Sequence, residues 1–200
     1  MIKAIIFDLG NVLINYDPSI PAREFAKLSG KSEDEIFRML FSSNLEDLYT
    51  RGQMSSEEFV RKMKALFGVE VDDGTFITVW NEIFFENEGM EALVRLLKKH
   101  YALYMISNTN DLHWNYLVER YSVFKHFIKC YPSHEVGMRK PDPKIYEHVL
   151  HEIHLKPEEA IFIDDMPHFV EGARRVGIRA VQFTSRETLE KDLRDLGIEW

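Results

Sequence analysis

Little in this sequence suits an oxidising compartment, a membrane or a polyanion. Cysteine occurs once among 200 residues, at Cys130, so no intrachain disulfide can form. A lone cysteine of this kind reads as a small buried hydrophobe rather than a nucleophile. Positive charge is scarce. The 25 Lys and Arg stand against 33 Asp and Glu, and the net charge of −8 provides no basic field to hold DNA or RNA or to dock on anionic lipid. No apolar run approaches the length of a bilayer-spanning helix. Met1-Ile2-Lys3-Ala4 leads straight into a short apolar strand, with no h-region or cleavage site. These absences predict a cytoplasmic protein with neither a nucleic-acid nor a membrane partner, present as a monomer or weak homodimer. What is abundant is ordinary: 45% hydrophobic and 12% aromatic residues exclude a disordered chain. The length allows one core carrying a smaller insertion.

Short apolar runs recur along the chain. Ala4–Phe7 ends at Asp8, Tyr101–Ile106 ends at Ser107-Asn108, and Ala160–Ile163 ends at Asp164-Asp165. Arg179–Phe183 is a fourth run, and Phe127–Tyr131 a weaker fifth. Continuous rather than alternating hydrophobicity suits strands buried on both faces of a parallel sheet. Helical stripes lie between them: Met90, Leu93, Val94 and Leu97 on one, Ile145, Val149, Leu150 and Ile153 on another. A third helix is predicted over 167–176, entered through Pro167 and stopped by Gly177. Strands alternating with helices predict an α/β, doubly wound parallel sheet.

Residues 18–84 differ, showing helical periodicity and no convincing strand. Gly30, Gly52 and Gly68 punctuate the block into four expected helices, and Ser32/Glu35 and Ser55/Glu58 each match a capping box. The predicted organisation is a core of 1–17 and 85–200 with an inserted small α-helical cap domain of 18–84.

Polar residues at the ends of parallel strands converge on one crevice, which is where open α/β sheets bind ligands. Asp8, Ser107, Asn108, Asp164 and Asp165 would meet there. Singly, each is an ordinary turn or cap residue. Together they suggest attack by a carboxylate with a divalent metal nearby, because Mg²⁺ takes oxygen ligands and offsets the repulsion between an anionic nucleophile and an anionic substrate. Lys140, on a loop flanked by Pro141 and Pro143, would present a fixed ammonium to the same charge.

In this combination the residues resemble the haloacid-dehalogenase superfamily, whose fold is a Rossmann-like core. Phe7-Asp8-Leu9-Gly10-Asn11-Val12-Leu13 is similar to its first motif, Ile106-Ser107-Asn108-Thr109 to the second, Arg139-Lys140-Pro141 to the third, and Ile163-Asp164-Asp165 with Glu171-Gly172-Ala173 to the fourth. Asn108–His113, Gly137–Pro141 and the cap stretch Tyr49–Ser55 resemble a bacterial sugar-phosphate phosphatase branch that includes an α-D-glucose-1-phosphate phosphatase. The resemblance implies a Mg²⁺-dependent phosphatase acting on a small phosphorylated metabolite, such as a sugar phosphate. Asp8 would be the covalent nucleophile and a metal ligand. Ser107, the backbone of Asn108 and Lys140 would hold the phosphoryl group. The Gly10 carbonyl and Asp165 would be further metal ligands, with Asp164 acting directly or through water.

Two positions depart from the family pattern. Gly10 stands where most of its phosphatases carry a second Asp that serves as general acid and base, and Asp17 or His113 are the replacements to consider. Phe169 replaces a commonly polar residue near the metal. Glu46, Tyr49, Arg51, His113 and Trp114 are candidates to touch the leaving group. The competing readings are a metal-independent 2-haloacid dehalogenase, whose family members also lack the second Asp, and a non-catalytic binding protein on the same scaffold.

Overall fold

The chain begins with β1 (Ala4–Phe7), turns through β2 (Ile14–Tyr16), and then runs through five helices. These are α1 (Ser19–Ser29), α2 (Glu33–Ser42), α3 (Leu45–Thr50), α4 (Ser56–Phe67) and α5 (Asp73–Asn81). After β3 (Phe84–Glu86) come α6 (Met90–Leu97), β4 (Ala102–Ser107), α7 (Asp111–Arg120), β5 (Lys129–Pro132), α8 (Ser133–Val136) and α9 (Pro143–Glu152). The chain closes with β6 (Ala160–Asp164), α10 (Pro167–Arg175), β7 (Arg179–Gln182) and α11 (Arg186–Asp195). This computed structural model describes residues 1–200, the side chain of Phe41 excepted.

β1 forms the centre of a five-stranded parallel sheet of order β5-β4-β1-β6-β7. From β1 the chain steps outward to β4 and β5, then returns to the other side of β1 for β6 and β7. That reversal opens a crevice at the carboxyl end of β1. The side-chain period of two sends Ile5 and Phe7 to one face, where α6, α7 and α11 cover them, and Ile6 to the other, where α9 and α10 pack. All four residues of β1 are fully buried, which is why its sequence runs apolar without alternation. Each such Ile or Phe contributes about 1.5–3 kcal/mol relative to exposure.

Residues 19–81 have a buried cluster of their own, built on Phe25, Tyr49, Phe59, Phe67, Phe76 and Trp80. Phe25 stacks on Phe76 at 4.7 Å, and Tyr49 on Phe59 at 4.2 Å between centroids. The block holds five helices rather than the four expected, the extra one being the six-residue α3. Asn44, at its N-cap, is a favoured capping type but makes no side-chain cap bond, and no glycine separates this helix from α2. The Ser32/Glu35 capping box is complete. Ser55 accepts from the Glu58 backbone N–H, while the Glu58 carboxylate pairs with Lys62 at 2.7 Å.

Two strands that periodicity did not predict tie the block to the sheet. β2 and β3 pair antiparallel, with Ile14 opposite Glu86, directly before and after the helices. At three residues each they are too short to show a period.

Candidate active site

Asp8, Ser107 and Asp164 sit where β1, β4 and β6 end. The register aligns them, since Phe7 is opposite both Met105 and Ile163. Lys140 enters from the loop ahead of α9, whose first residue Pro143 follows the capping Asp142. Its Nζ lies 2.6 Å from Asp8 Oδ1 and 2.5 Å from Asp164 Oδ2, with all three side chains withdrawn from solvent. Asn108 fixes this loop: its side chain accepts the Lys140 N–H and donates to the Lys140 carbonyl, each at 2.9 Å. The Lys140 ammonium also lies 4.9 Å from the centre of the Phe169 ring, which gives that off-pattern aromatic a cation–π role.

One ammonium cannot balance two buried carboxylates, and Asp165 adds a third beside them. Burial raises the Asp8 carboxyl, Lys140 opposes it and Asp164 reinforces it, the balance of the protein's own charges being a pKa of about 7. Burial and then Asp164 likewise raise Asp165. Burial works against the charge on Lys140, yet Asp8 and Asp164 together lift its pKa above the ordinary lysine value. Carboxylate oxygens of Asp8, Asp164 and Asp165 lie within 4.8 Å of one another. An all-oxygen donor set with surplus negative charge fits a hard divalent cation. Asp164 already spends one oxygen on Lys140 and the other on the Met166 N–H at 2.9 Å, whereas Asp165 opens onto the cavity.

Beside these residues lies a cavity of about 470 Å³, lined by the helical block and bordered by Asp8, Gly10, Ser107, Asn108, Lys140 and Asp165. A family model described as haloacid dehalogenase-like hydrolase matches residues 2–177. The chain belongs to this family of hydrolases.

Among curated proteins it is 27% identical over 190 residues to a D-ribitol-5-phosphate phosphatase from Bacteroides thetaiotaomicron, covering 91% of this chain and 92% of that one. It is also 26% identical over 202 residues to a drimenol cyclase from Aspergillus calidoustus, where 98% of this chain spans only 37% of the relative. Among solved structures, a family enzyme from Bacteroides thetaiotaomicron in complex with magnesium and inorganic phosphate superposes with a TM-score of 0.85. That pair is 27% identical, with 93% of this chain and 96% of the other covered.

The remaining sequence candidates in this family member separate into two groups. Glu46 lines the cavity, with its pKa raised by burial and pulled back by Arg139. His113 lines it too, but its ring nitrogens face the Trp80 carbonyl at 3.0 Å and the Asn110 amide at 3.1 Å. Burial pushes His113 down to about 4, so it is neutral near pH 7. Tyr49, Arg51, Trp114 and Asp17 lie outside the cavity lining. Tyr49 bonds Ser56 and the Leu112 N–H, Arg51 pairs with Asp47, Trp114 packs edge-on against Phe124, and Asp17 accepts from the Ser19 N–H. Burial pushes the Cys130 thiol up to about 12, in keeping with a packing role.

Sequence reading passed over Asn11 and Tyr16. Asn11, in the left-handed region at φ 54°, places its amide 3.4 Å from Asp165 Oδ2. The Tyr16 ring lies across residue 10, 3.0 Å from where a Cβ would be. The signal for Asn11 was the residue type, since Asn tolerates this backbone more readily than most. Tyr16 takes its place from the pairing of β2 with the distant β3 and left no signal.

Proposed function

We propose that this hydrolase is a Mg²⁺-dependent phosphatase that cleaves a small phosphomonoester through an aspartyl-phosphate on Asp8. The observation that carries this reading is the buried group of Asp8, Asp164 and Lys140 with Asp165 alongside. It combines a nucleophilic carboxylate, a fixed ammonium and an unmet demand for a cation. Phosphatase names among the relatives, and the magnesium and phosphate bound in a structure of similar fold, support it.

Asp8, Asp165 and the Gly10 carbonyl would hold Mg²⁺, with Asp164 positioning Lys140. Bound there, the ion offsets negative charge on the carboxylates and the phosphoryl group. Ser107 and the backbone of Asn108 orient the phosphoryl oxygens, and Lys140 holds their charge. Asp8 attacks phosphorus, the ester P–O bond breaks, and the departing oxygen takes a proton. Water then attacks the aspartyl-phosphate, restoring the carboxylate and releasing inorganic phosphate. With glycine at position 10, we assign the proton to Glu46, the one carboxyl group besides Asp8 and Asp165 among the described residues that line the cavity. In this scheme residues 18–84 act as a cap that excludes water during reaction.

A dehalogenase of this family works without a metal, and the clustered carboxylates weigh against that reading. For the leaving group, motif resemblance and the ribitol-5-phosphate relative favour a sugar phosphate such as glucose-1-phosphate. The apolar cavity walls favour a less polar one. Phosphate release from p-nitrophenyl phosphate should require Mg²⁺, stop with EDTA, and fall to background in Asp8→Asn. Equal inertness of wild type and variant across a broad phosphate panel would sink the enzymatic reading.

A further inference from the structure

The cavity has two chemically different ends. Its floor is charged, with Asp8, Lys140 and Asp165. Its walls come from the helical block: Ala22 and Phe25 of α1, Ile36 and Leu40 of α2, Phe67 of α4 and Trp80 of α5. Phe25, Ile36 and Phe67 are almost wholly withdrawn from solvent, so the space reaches into the block's own apolar core. The rim adds the apolar Met166 and Phe169, with Tyr16 and His168 beside them.

Three polar side chains that reach the cavity beside these walls already have partners. Thr50 Oγ1 donates to the Glu46 carbonyl at 2.8 Å within its own helix. His113 is held between Trp80 and Asn110, and the Asn110 side-chain oxygen accepts the His113 N–H that starts α7. Arg139 is fixed by Asp47 at 2.6 Å. Glu46 also lines the cavity, and Tyr16 and His168 bring polar atoms of their own to its border. A polyol entering this space would leave hydroxyl groups stripped of water and unpaired, which is costly. A hydrocarbon would replace water against apolar walls at no such cost.

We propose that the substrate is a phosphomonoester of an apolar alcohol, with its phosphate on the floor at Asp8 and its hydrocarbon chain in the helical block. This rests on the phosphatase reading above and specifies its leaving group. Specificity then follows chain length, since burying each methylene adds a roughly constant increment until the space is filled.

The test is phosphate release, with Mg²⁺, from straight-chain alkyl monophosphates of increasing length alongside glucose-1-phosphate and ribitol-5-phosphate. Over the short members kcat/KM should rise about fourfold per methylene, then level off. The sugar esters should fall below alkyl esters of comparable size. Leu40→Trp should move the optimum to shorter chains, and Leu40→Asn should flatten the rise, each read as a ratio of long to short substrate within one protein preparation. Should either variant fail to fold, the wild-type series decides alone. A flat series, or sugar esters preferred over alkyl esters, overturns the proposal while leaving the phosphatase intact. Failure to turn over any ester, p-nitrophenyl phosphate included, overturns the phosphatase reading and this one with it.

Discussion

Residue 10 is where the chain departs most from the chemistry its first motif implies. A glycine supplies no proton, and a side chain there would meet the Tyr16 ring 3.0 Å from its Cβ. Tyr16, in the strand β2 that pairs with β3, thus crowds the space a second Asp would use, and its ring would have to shift by a few tenths of an ångström. Glu46 lines the same cavity, and its raised pKa keeps more of the acid protonated, as a proton donor to a leaving alcohol must be. Glu46→Gln is expected to lower kcat by about 10²–10⁴ for alkyl phosphates, whose leaving oxygen needs that proton. The loss should be far smaller for p-nitrophenyl phosphate, whose phenolate leaves unassisted. An equal loss on both substrates would return Glu46 to a packing or binding role. Asp8, Ser107, Lys140, Asp164 and Asp165 were legible because each follows a strand or precedes a helix with clear signals. Glu46 was one name among several, because nothing in the sequence separates it from Tyr49 or Arg51, which point elsewhere.

At the scale of elements, the joint between helical block and sheet carries the arrangement. The Ser133 hydroxyl, fully buried at the start of α8, lies 2.6 Å from the Thr50 carbonyl and 3.0 Å from that of Thr109, and accepts the Thr109 N–H at 3.1 Å. It therefore links the end of α3 to the loop carrying Ser107 and Asn108. Gly52 sits beside this link at φ +68°, and an added Cβ would lie 2.1 Å from the His134 carbonyl oxygen. Both the left-handed backbone and the close approach demand glycine here. Gly52→Ala should therefore destabilise the protein by about 1–3 kcal/mol, read as a lower thermal midpoint. It should also raise KM, because the block would seat less well over the floor. An unchanged midpoint would show that the joint tolerates displacement. Sequence punctuation by Gly30, Gly52 and Gly68 marked breaks between helices but treated them alike. Gly30 has open space around its Cβ position, and only the tertiary contact sets Gly52 apart.

For the whole molecule, the net charge of −8 becomes consequential where carboxylates are gathered and buried. Bringing Asp8, Asp164 and Asp165 together costs free energy that a cation bound there would return. Mg²⁺ in roughly hundredfold excess over its dissociation constant is expected to add about 2.7 kcal/mol of stability. Differential scanning fluorimetry should show this as an upward shift of several degrees, largely lost in Asp165→Asn. No shift across the millimolar range would count against the metal site. No described helix is long and apolar enough to cross a membrane.

The sequence by itself determined the sheet, the polar strand ends and the presence of a helical block. Each rests on local patterning: apolar runs of strand length, stripes of helical period, and caps and breakers at their ends. Only the tertiary structure decided which side chains share the cavity, that Asn108 holds the Lys140 backbone, that His113 is neutral and engaged, and that the walls above the floor are apolar. Those facts depend on contacts between residues far apart in the chain, such as Gly52 with His134 or Tyr16 with Gly10, which local pattern does not encode.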